Sequence, residues 1–418
     1  MAIRWSCAPW GAALVLLLSI PVRAQQASPV GPAAQTDSLR RVRRIPFDAL
    51  AESVTQQLSL SVLSRRYSVE GVPVSEVMAP FEWRYTAPHV AAMLTGAPIR
   101  FAVDPTVMRS WTPTRLEVDL VPWAGDTLIL YGQTGSRPVN LDTLQGEAIG
   151  TVSTSVLDVG AMALGVPAHL GARLVVGRPV GAIYLGATAG VERDARPPAT
   201  GLAWYQGTTL SGSLTAAIPI GRQRLAVSAY LSQSQTDSLG GLNQFPGGGT
   251  RGLTVSLSGE TGTDSTIAYT IDAYYERPFG NTRNDQVTRA LPLGTYSGWS
   301  ASADLTAGRV TWTPTLSWAR EASDATVRVR QGPQFVSTTL HSSATSWTAD
   351  LVADIPLPYG LSLLPRLGYT TGGFVSRLDP VAGRVVVRPG RPAPATVGYT
   401  ARTPLTGFWS GIGVQLNF

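Results

Sequence analysis

Gly413-Val414-Gln415-Leu416-Asn417-Phe418 closes the chain, with Val414, Leu416 and Phe418 in one phase and Gln415 and Asn417 in the other. A period of two sets alternate side chains on opposite faces of a strand. Traced upstream, the phase of Phe418 continues through Ile412, Ser410 and Phe408, so the stretch 404–418 keeps its apolar residues on one side. Runs of the same kind recur back to about residue 145, and the fold follows from what their two faces carry.

In 204–234 the corresponding phase holds Leu210, Leu214, Ile218, Leu225, Val227 and Leu231, and in 251–276 it holds Leu253, Val255, Leu257, Ile267, Ile271 and Tyr275. It continues through Trp299, Ala301, Leu305, Trp312, Leu316 and Trp318, then Trp347, Leu351, Ile355, Leu363, Leu367 and Tyr369. None of the positions collected in this phase from the nine clearest strands, 204–218 to the end, is charged, and Ser410 is their one small polar residue. The opposite phase is polar, with many Ser and Thr and with Arg224, Asp272, Glu276, Asp304, Asp350, Asp354 and Arg366. A soluble sandwich also alternates, but around a mixed, bulkier core. An uncharged apolar run along one face of each of these nine strands is the pattern of a closed β-barrel in lipid, where each backbone group must pair within the sheet.

The candidate strands are 145–158, 169–177, 180–191, 204–218, 222–234, 251–259, 265–276, 297–306, 309–320, 345–355, 361–372 and 404–418. Short and long links alternate between them, as when two rims face different compartments. The reading is an all-β, transmembrane, antiparallel up-and-down barrel of about twelve strands. The runner-up is about fourteen, reached by adding 114–122 and 126–132, where Leu116, Val118 and Leu120 alternate with Arg115, Glu117 and Asp119. Trp318, Trp347, Tyr369 and Phe408 fall toward the long-link rim as an aromatic girdle, and Phe418 falls at the other rim.

Residues 1–24 read as a secretory signal: Arg4, the apolar run 11–20, then Val22-Arg23-Ala24. That run is too short to span a bilayer as a helix, and no later segment offers about 18 consecutive apolar residues. Cys7, the only cysteine, leaves with the signal, which excludes disulfides and thiol chemistry from the mature chain. Loss of Arg4 and Arg23 lowers the formal charge from +6 to +4. Every basic residue is Arg, so no Schiff-base or phosphate-loop lysine exists.

Residues 25–112 are expected to form a small periplasmic segment, a plug or packing arm, with a flexible start and the basic cluster Arg40-Arg41-Val42-Arg43-Arg44. The four-residue spacing of Leu50, Val54, Leu58 and Val62 predicts a helix over 47–66. Residues 113–144 hold a short strand pair, periplasmic or the first barrel hairpin.

The chain resembles the outer-membrane β-barrel proteins of Gram-negative bacteria over 145–418. Gly413, Leu416 and Phe418 are similar to the C-terminal assembly signal of that superfamily. The resemblance implies recognition by the barrel-assembly machinery and residence in outer-membrane lipid.

No Walker loop, His-Glu-x-x-His motif or Gly-x-Ser-x-Gly elbow is present. No catalytic residue, cofactor, metal or nucleic-acid partner is therefore expected. Of the three histidines, His89, His169 and His341, only His341 beside Ser342 and Ser343 suits a lipid-modifying barrel enzyme, the third-ranked reading. The leading expectation is a porin-like channel for small polar solutes, lined by Arg224, Asp272, Glu276, Asp304, Asp350, Asp354 and Arg366. The alternative is a non-conducting barrel that binds a partner through long outer loops.

Overall fold

In a computed structural model the described residues are 54–69, 72–103, 106–123, 126–135, 168–194, 204–239, 243–246, 248–261, 267–279, 295–331, 334–379 and 399–418. Most of them form one antiparallel ring. Its staves are β1 (Thr55–Val69), β2 (Val72–Met78 with Phe81–Ala87), β3 (Val90–Gly96 with Pro98–Val103), β4 (Thr106–Trp111 with Arg115–Trp123) and β5 (Asp126–Gln133). Then come β6 (His169–Val180), β7 (Ile183–Asp194), β8 (Thr208–Ile220), β9 (Gln223–Ser234), β10 (Gly249–Thr261) and β11 (Ile267–Phe279). The last are β12 (Thr295–Ala307), β13 (Val310–Gln331), β14 (Gln334–Pro356), β15 (Leu361–Leu378) and β16 (Tyr399–Asn417). The sheet holds 19 hydrogen-bonded segments, and because β2, β3 and β4 are each built from two, the staves number 16.

Closure is made by the C-terminal run quoted first. β16 pairs with β1 from Gln57↔Asn417 to Val69↔Leu405, and Phe418 and Gln56 exchange backbone hydrogen bonds of 3.0 and 2.8 Å. No edge is left to lipid.

The strand count corrects the expected twelve or fourteen. The predicted strands from 169–177 onward are all present, and so are 114–122 and 126–132, as parts of β4 and β5. The additional staves are β1, β2 and β3, inside the stretch expected to be a helix-bearing periplasmic segment. The helix over 47–66 is replaced by strand from Thr55. The spacing of Leu58 and Val62 is two strand periods as well as one helical turn, and Leu60 between them, outward and exposed, decides for the strand. The predicted strand 145–158, the flexible start and the signal over 1–24 lie outside the described residues.

Prolines hid β2, β3 and β4 from sequence periodicity. Pro80, Pro98 and Pro113 fall at or beside the breaks of three adjacent staves, where a residue without an N–H is tolerated. Hydrogen bonding carries across the breaks: Ser61 N donates to Pro80 O at 3.0 Å, Ala79 N to Pro98 O at 3.0 Å and Thr112 N to Ala97 O at 2.8 Å. In β4 the break also shifts the phase, since Ser110 opposes inward Ile99 while Arg115 opposes inward Thr95.

The ring sorts its faces by curvature. Outward side chains splay and stay exposed, as at Leu60, Leu214 and Phe408, while inward ones converge. Along β7 exposure alternates residue by residue. At one rim the staves join by short turns, where Gly181, Gly221 and Gly308 supply positive φ. At the other rim five links are long, while β1–β2, β3–β4 and β13–β14 join across two residues each. There Trp204–Gln206, Thr236–Leu239 and Asn243–Pro246 form a separate three-stranded sheet, and β13 and β14 run on to 22 and 23 residues. About 9–11 residues cross the hydrocarbon, so these two staves stand well clear of it.

Three rows across the inner wall share one construction. Tyr131↔Gly171↔Glu192, Tyr230↔Gly252↔Glu276 and Trp409↔Gly368↔Asp350 each place an aromatic, a glycine and an acid in register on three neighbouring staves. The ring lies across the glycine, and its polar tip donates to the acid: Tyr131 Oη to Glu192 at 2.8 Å, Tyr230 Oη to Glu276, and Trp409 Nε1 to Asp350 at 3.2 Å. A Cβ on any of these glycines would fall inside the aromatic ring's contact radius. Gly252→Ala and Gly368→Ala are each expected to destabilise the folded barrel by about 1–3 kcal/mol, read as urea unfolding in lipid. Combining Gly252→Ala with Tyr230→Ala should cost less than the sum, because the second change removes the clash. Additivity would disprove the row. Deleting residues 25–112 takes out staves and should abolish the heat-modifiable folded band on gels.

Candidate functional site: the inner wall

Register places Arg224, Asp272, Glu276, Asp304, Asp350, Asp354 and Arg366 on the inner face, opposite the apolar phase. Arg366 and Asp350 form an ion pair, Nη2 to Oδ2 at 2.7 Å and Nε to both carboxylate oxygens at 2.9 Å. Arg224 stands over the Tyr184 ring at 5.9 Å. Asp304 accepts from Thr313 Oγ1 at 2.7 Å, Asp354 opposes Thr311, and Asp272 is buried between Ser256 and Ser300 in register.

The early staves add inward charges that the sequence did not single out. Arg65 lies 3.5 Å from Glu76 and 5.9 Å from the Trp409 ring centroid. Arg84 pairs with Glu82, and Arg115 with Glu117 at 2.8 Å. Arg115 and Arg173 stand over the Tyr131 ring at 5.3 and 5.9 Å. Only Arg115, Glu117 and Asp119 were legible beforehand, through their alternation with Leu116, Val118 and Leu120.

The two halves of the wall therefore differ in kind. On β1 to β7 inward arginines are interleaved with acids. On β10 to β14 the inward phase holds acids and no arginine among the described residues. Those acids span the wall's depth: Glu260, Asp304 and Asp354 near the short turns, Asp272 and Asp350 midway, Glu276 and Glu321 toward the long links.

Among the described residues one group, His169, Glu192 and Asp194, brings possible metal-ligand atoms within 4.8 Å of one another. Its donors suit a divalent cation by type. The guanidiniums around Tyr131, which donates to Glu192, already surround it with positive charge, so an ion network accounts for it.

His341 stands on the extension of β14 and meets two carboxylates. Nδ1 lies 2.6 Å from Asp324 Oδ1 and Nε2 lies 3.0 Å from Asp379 Oδ2. Both ring nitrogens are thus engaged by acids, an arrangement that leaves neither to take a proton from Ser343. His89 Nδ1 lies 3.2 Å from Val121 O near the short turns.

The hydrogen bond to Asp379, then that to Asp324, raises the His341 pKa above its ordinary 6.5, and the His341 bond lowers that of Asp379. Because the imidazole's folded pKa is raised, its contribution is complete below 6.5 and is lost as pH climbs through the raised value. Asp379, depressed, contributes above the ordinary carboxylate range and loses it in acid. Amide protection factors, with the intrinsic pH dependence of exchange divided out, are expected to be highest in mildly acidic buffer and lower at alkaline pH in the outer part of the β13–β14 hairpin. His341→Ala should flatten that dependence. An unchanged profile in the variant would assign the effect elsewhere.

The girdle aromatics align across neighbours: Trp299↔Trp318↔Trp347 in one row and Tyr369↔Phe408 in another, with Trp299 and Trp347 edge to face at 5.6 Å. Gly413 opposes Ser61 on the inner face, while Leu416 opposes Leu58 on the outer. A closed ring with an uncharged outer belt, aromatic at both margins and polar within, defines an outer-membrane β-barrel protein.

No protein-family model and no curated protein matches the chain. Solved outer-membrane barrels do. OmpT, an outer membrane protein of Vibrio cholerae, aligns over 88% of this chain and 100% of its own, at 9% identity and a TM-score of 0.37. OpdL of Pseudomonas aeruginosa aligns over 88% and 99%, at 11% identity and 0.42. An anion-selective porin from Comamonas acidovorans aligns over 88% and 99%, at 12% and 0.41.

Proposed function

We propose that the protein is a passive pore for small polar solutes, with its short-turn rim and N-terminal side in the periplasm and a preference for cations. The observation that carries this reading is the stave number. Barrels of about 16 strands enclose an aqueous channel, whereas about eight leave room only for side chains. The inner wall of Ser, Thr and carboxylates suits water. The arginine-free wall of β10 to β14 gives the interior a negative bias that the ion-paired opposite wall does not cancel. In this reading no enzymatic activity is assigned, and Phe418, placed beside β1 at closure, is presented to the assembly machinery before the ring shuts.

The test is single-channel recording of the refolded mature chain in planar bilayers under a KCl gradient. Steady conductance with a cation-signed reversal potential is expected. Asp272→Asn, Asp304→Asn and Asp354→Asn together should reduce the cation preference without abolishing conductance. A silent intact chain would sink the pore. Conductance with no preference, or an anionic one, would sink only the selectivity. A second reading, a barrel that binds through outer loops, draws on the length of β13 and β14 and would gain from silence.

A further inference from the structure

At the long-link margin of the apolar belt the outer face carries arginines and, among the described residues, no acid, whereas the short-turn margin pairs Arg178 with Asp126. We propose that the long-link rim bears an arginine collar that binds the phosphate groups of anionic lipid headgroups in the adjoining leaflet. The inference rests on the barrel's place in a membrane and is independent of whether its interior conducts.

Arg100 opposes Arg109 across β3 and β4, and Arg251 opposes Arg277 across β10 and β11. All four are exposed on the outer face. Like charges set directly opposite destabilise a sheet, so each pair is a cost unless an anion lies between them. The described residues supply none there. Among the described residues, the outward acids are Asp126, Asp324 and Asp379. Asp126 is at the short-turn rim and already binds Arg178 at 2.6 Å, and the other two clasp His341 above. Arg66, Arg193 and Arg320 extend the exposed positive set to β1, β7 and β13.

Depth identifies the occupant. Arg109, Arg277 and Arg320 each lie two residues beyond an outward aromatic on the same strand, namely Trp111, Tyr275 and Trp318, and Arg66 opposes Phe408 directly. Interfacial aromatics mark the boundary between hydrocarbon and headgroups. Two further residues, about 6 Å along a tilted strand, put the guanidiniums at headgroup depth. The guanidinium fork matches phosphate oxygens two at a time. A set of such forks spread around the circumference, against the lipid belt and outside any cavity, faces a leaflet. On the strands at the opposite rim the outward Arg178 is neutralised by Asp126, and the exposed Arg222 and Arg309 lie in the turns rather than against the belt. The collar would therefore distinguish two leaflets that differ in phosphate content.

The mature chain would be refolded in phosphatidylcholine bilayers with and without bisphosphorylated lipid A, and compared with Arg100→Gln/Arg109→Gln and Arg251→Gln/Arg277→Gln. The readouts are the thermal unfolding midpoint and the lipid A retained after transfer to detergent, by mass spectrometry. Lipid A is expected to raise the midpoint of the natural chain and to be retained severalfold more than by either variant. In phosphatidylcholine alone the variants should be as stable as the natural chain or more so, since repulsion has been removed. That sign reversal is what a merely structural role would not give. Asp126→Asn/Arg178→Gln at the other rim should leave lipid A retention unchanged. Equal retention by natural and collar-variant proteins overturns the proposal, as does loss of the midpoint shift only in the short-turn-rim variant. A midpoint shift matched by inorganic phosphate alone would replace the lipid with a small-anion site.

Discussion

Everything in this molecule depends on the pairing of β16 with β1. A strand in hydrocarbon has no water to satisfy its backbone, so an open sheet would expose two rows of unpaired amide groups. The ladder from Gln57↔Asn417 to Val69↔Leu405 removes both rows at once, and Gln56 and Phe418 complete it at the margin. Closure then imposes the two faces. One must be apolar because lipid surrounds it; the other is released to carry charge, because the ring shields it.

That freedom is used unevenly. The arginines of the early staves sit beside acids, as Arg65 does with Glu76 and Arg115 with Glu117. Among the acids of β10 to β14, Asp304 is held by the neutral donor Thr313 and Glu276 by Tyr230, while Asp350 takes Arg366. A neutral donor orients a carboxylate without cancelling its charge. The glycine rows serve the same end, since an aromatic can reach an acid two staves away only where the stave between has no side chain. The outer face shows the opposite economy: no charge through the apolar belt, then arginines at one margin and the Arg178–Asp126 ion pair at the other.

Legibility followed the regularity of each strand. From β6 to β16 the strands are long and unbroken, and 251–259, 361–372 and 404–418 fall inside observed staves because one phase of apolar residues runs through each. β2 and β3 are made of six- and seven-residue pieces, too short for a period of two to stand out, and β4 changes phase at its break. Leu58 and Val62 fit a helix and a strand equally, and the outward Leu60 between them and their pairing with β16 separate the two. The inner-face phase of Asp350 and Arg366 could be read from alternation, but their contact at 2.7 Å could not.

The sequence by itself determined the chemistry of each face, because lipid and water impose it strand by strand without reference to neighbours. It determined the class of protein for the same reason. The tertiary structure alone decided how many staves close the ring, and with that its width, because closure is a property of the whole circumference. It alone decided which side chains meet across staves, the glycine rows and the opposed arginines among them. Those contacts run perpendicular to the chain, in a direction set by register between strands far apart in sequence.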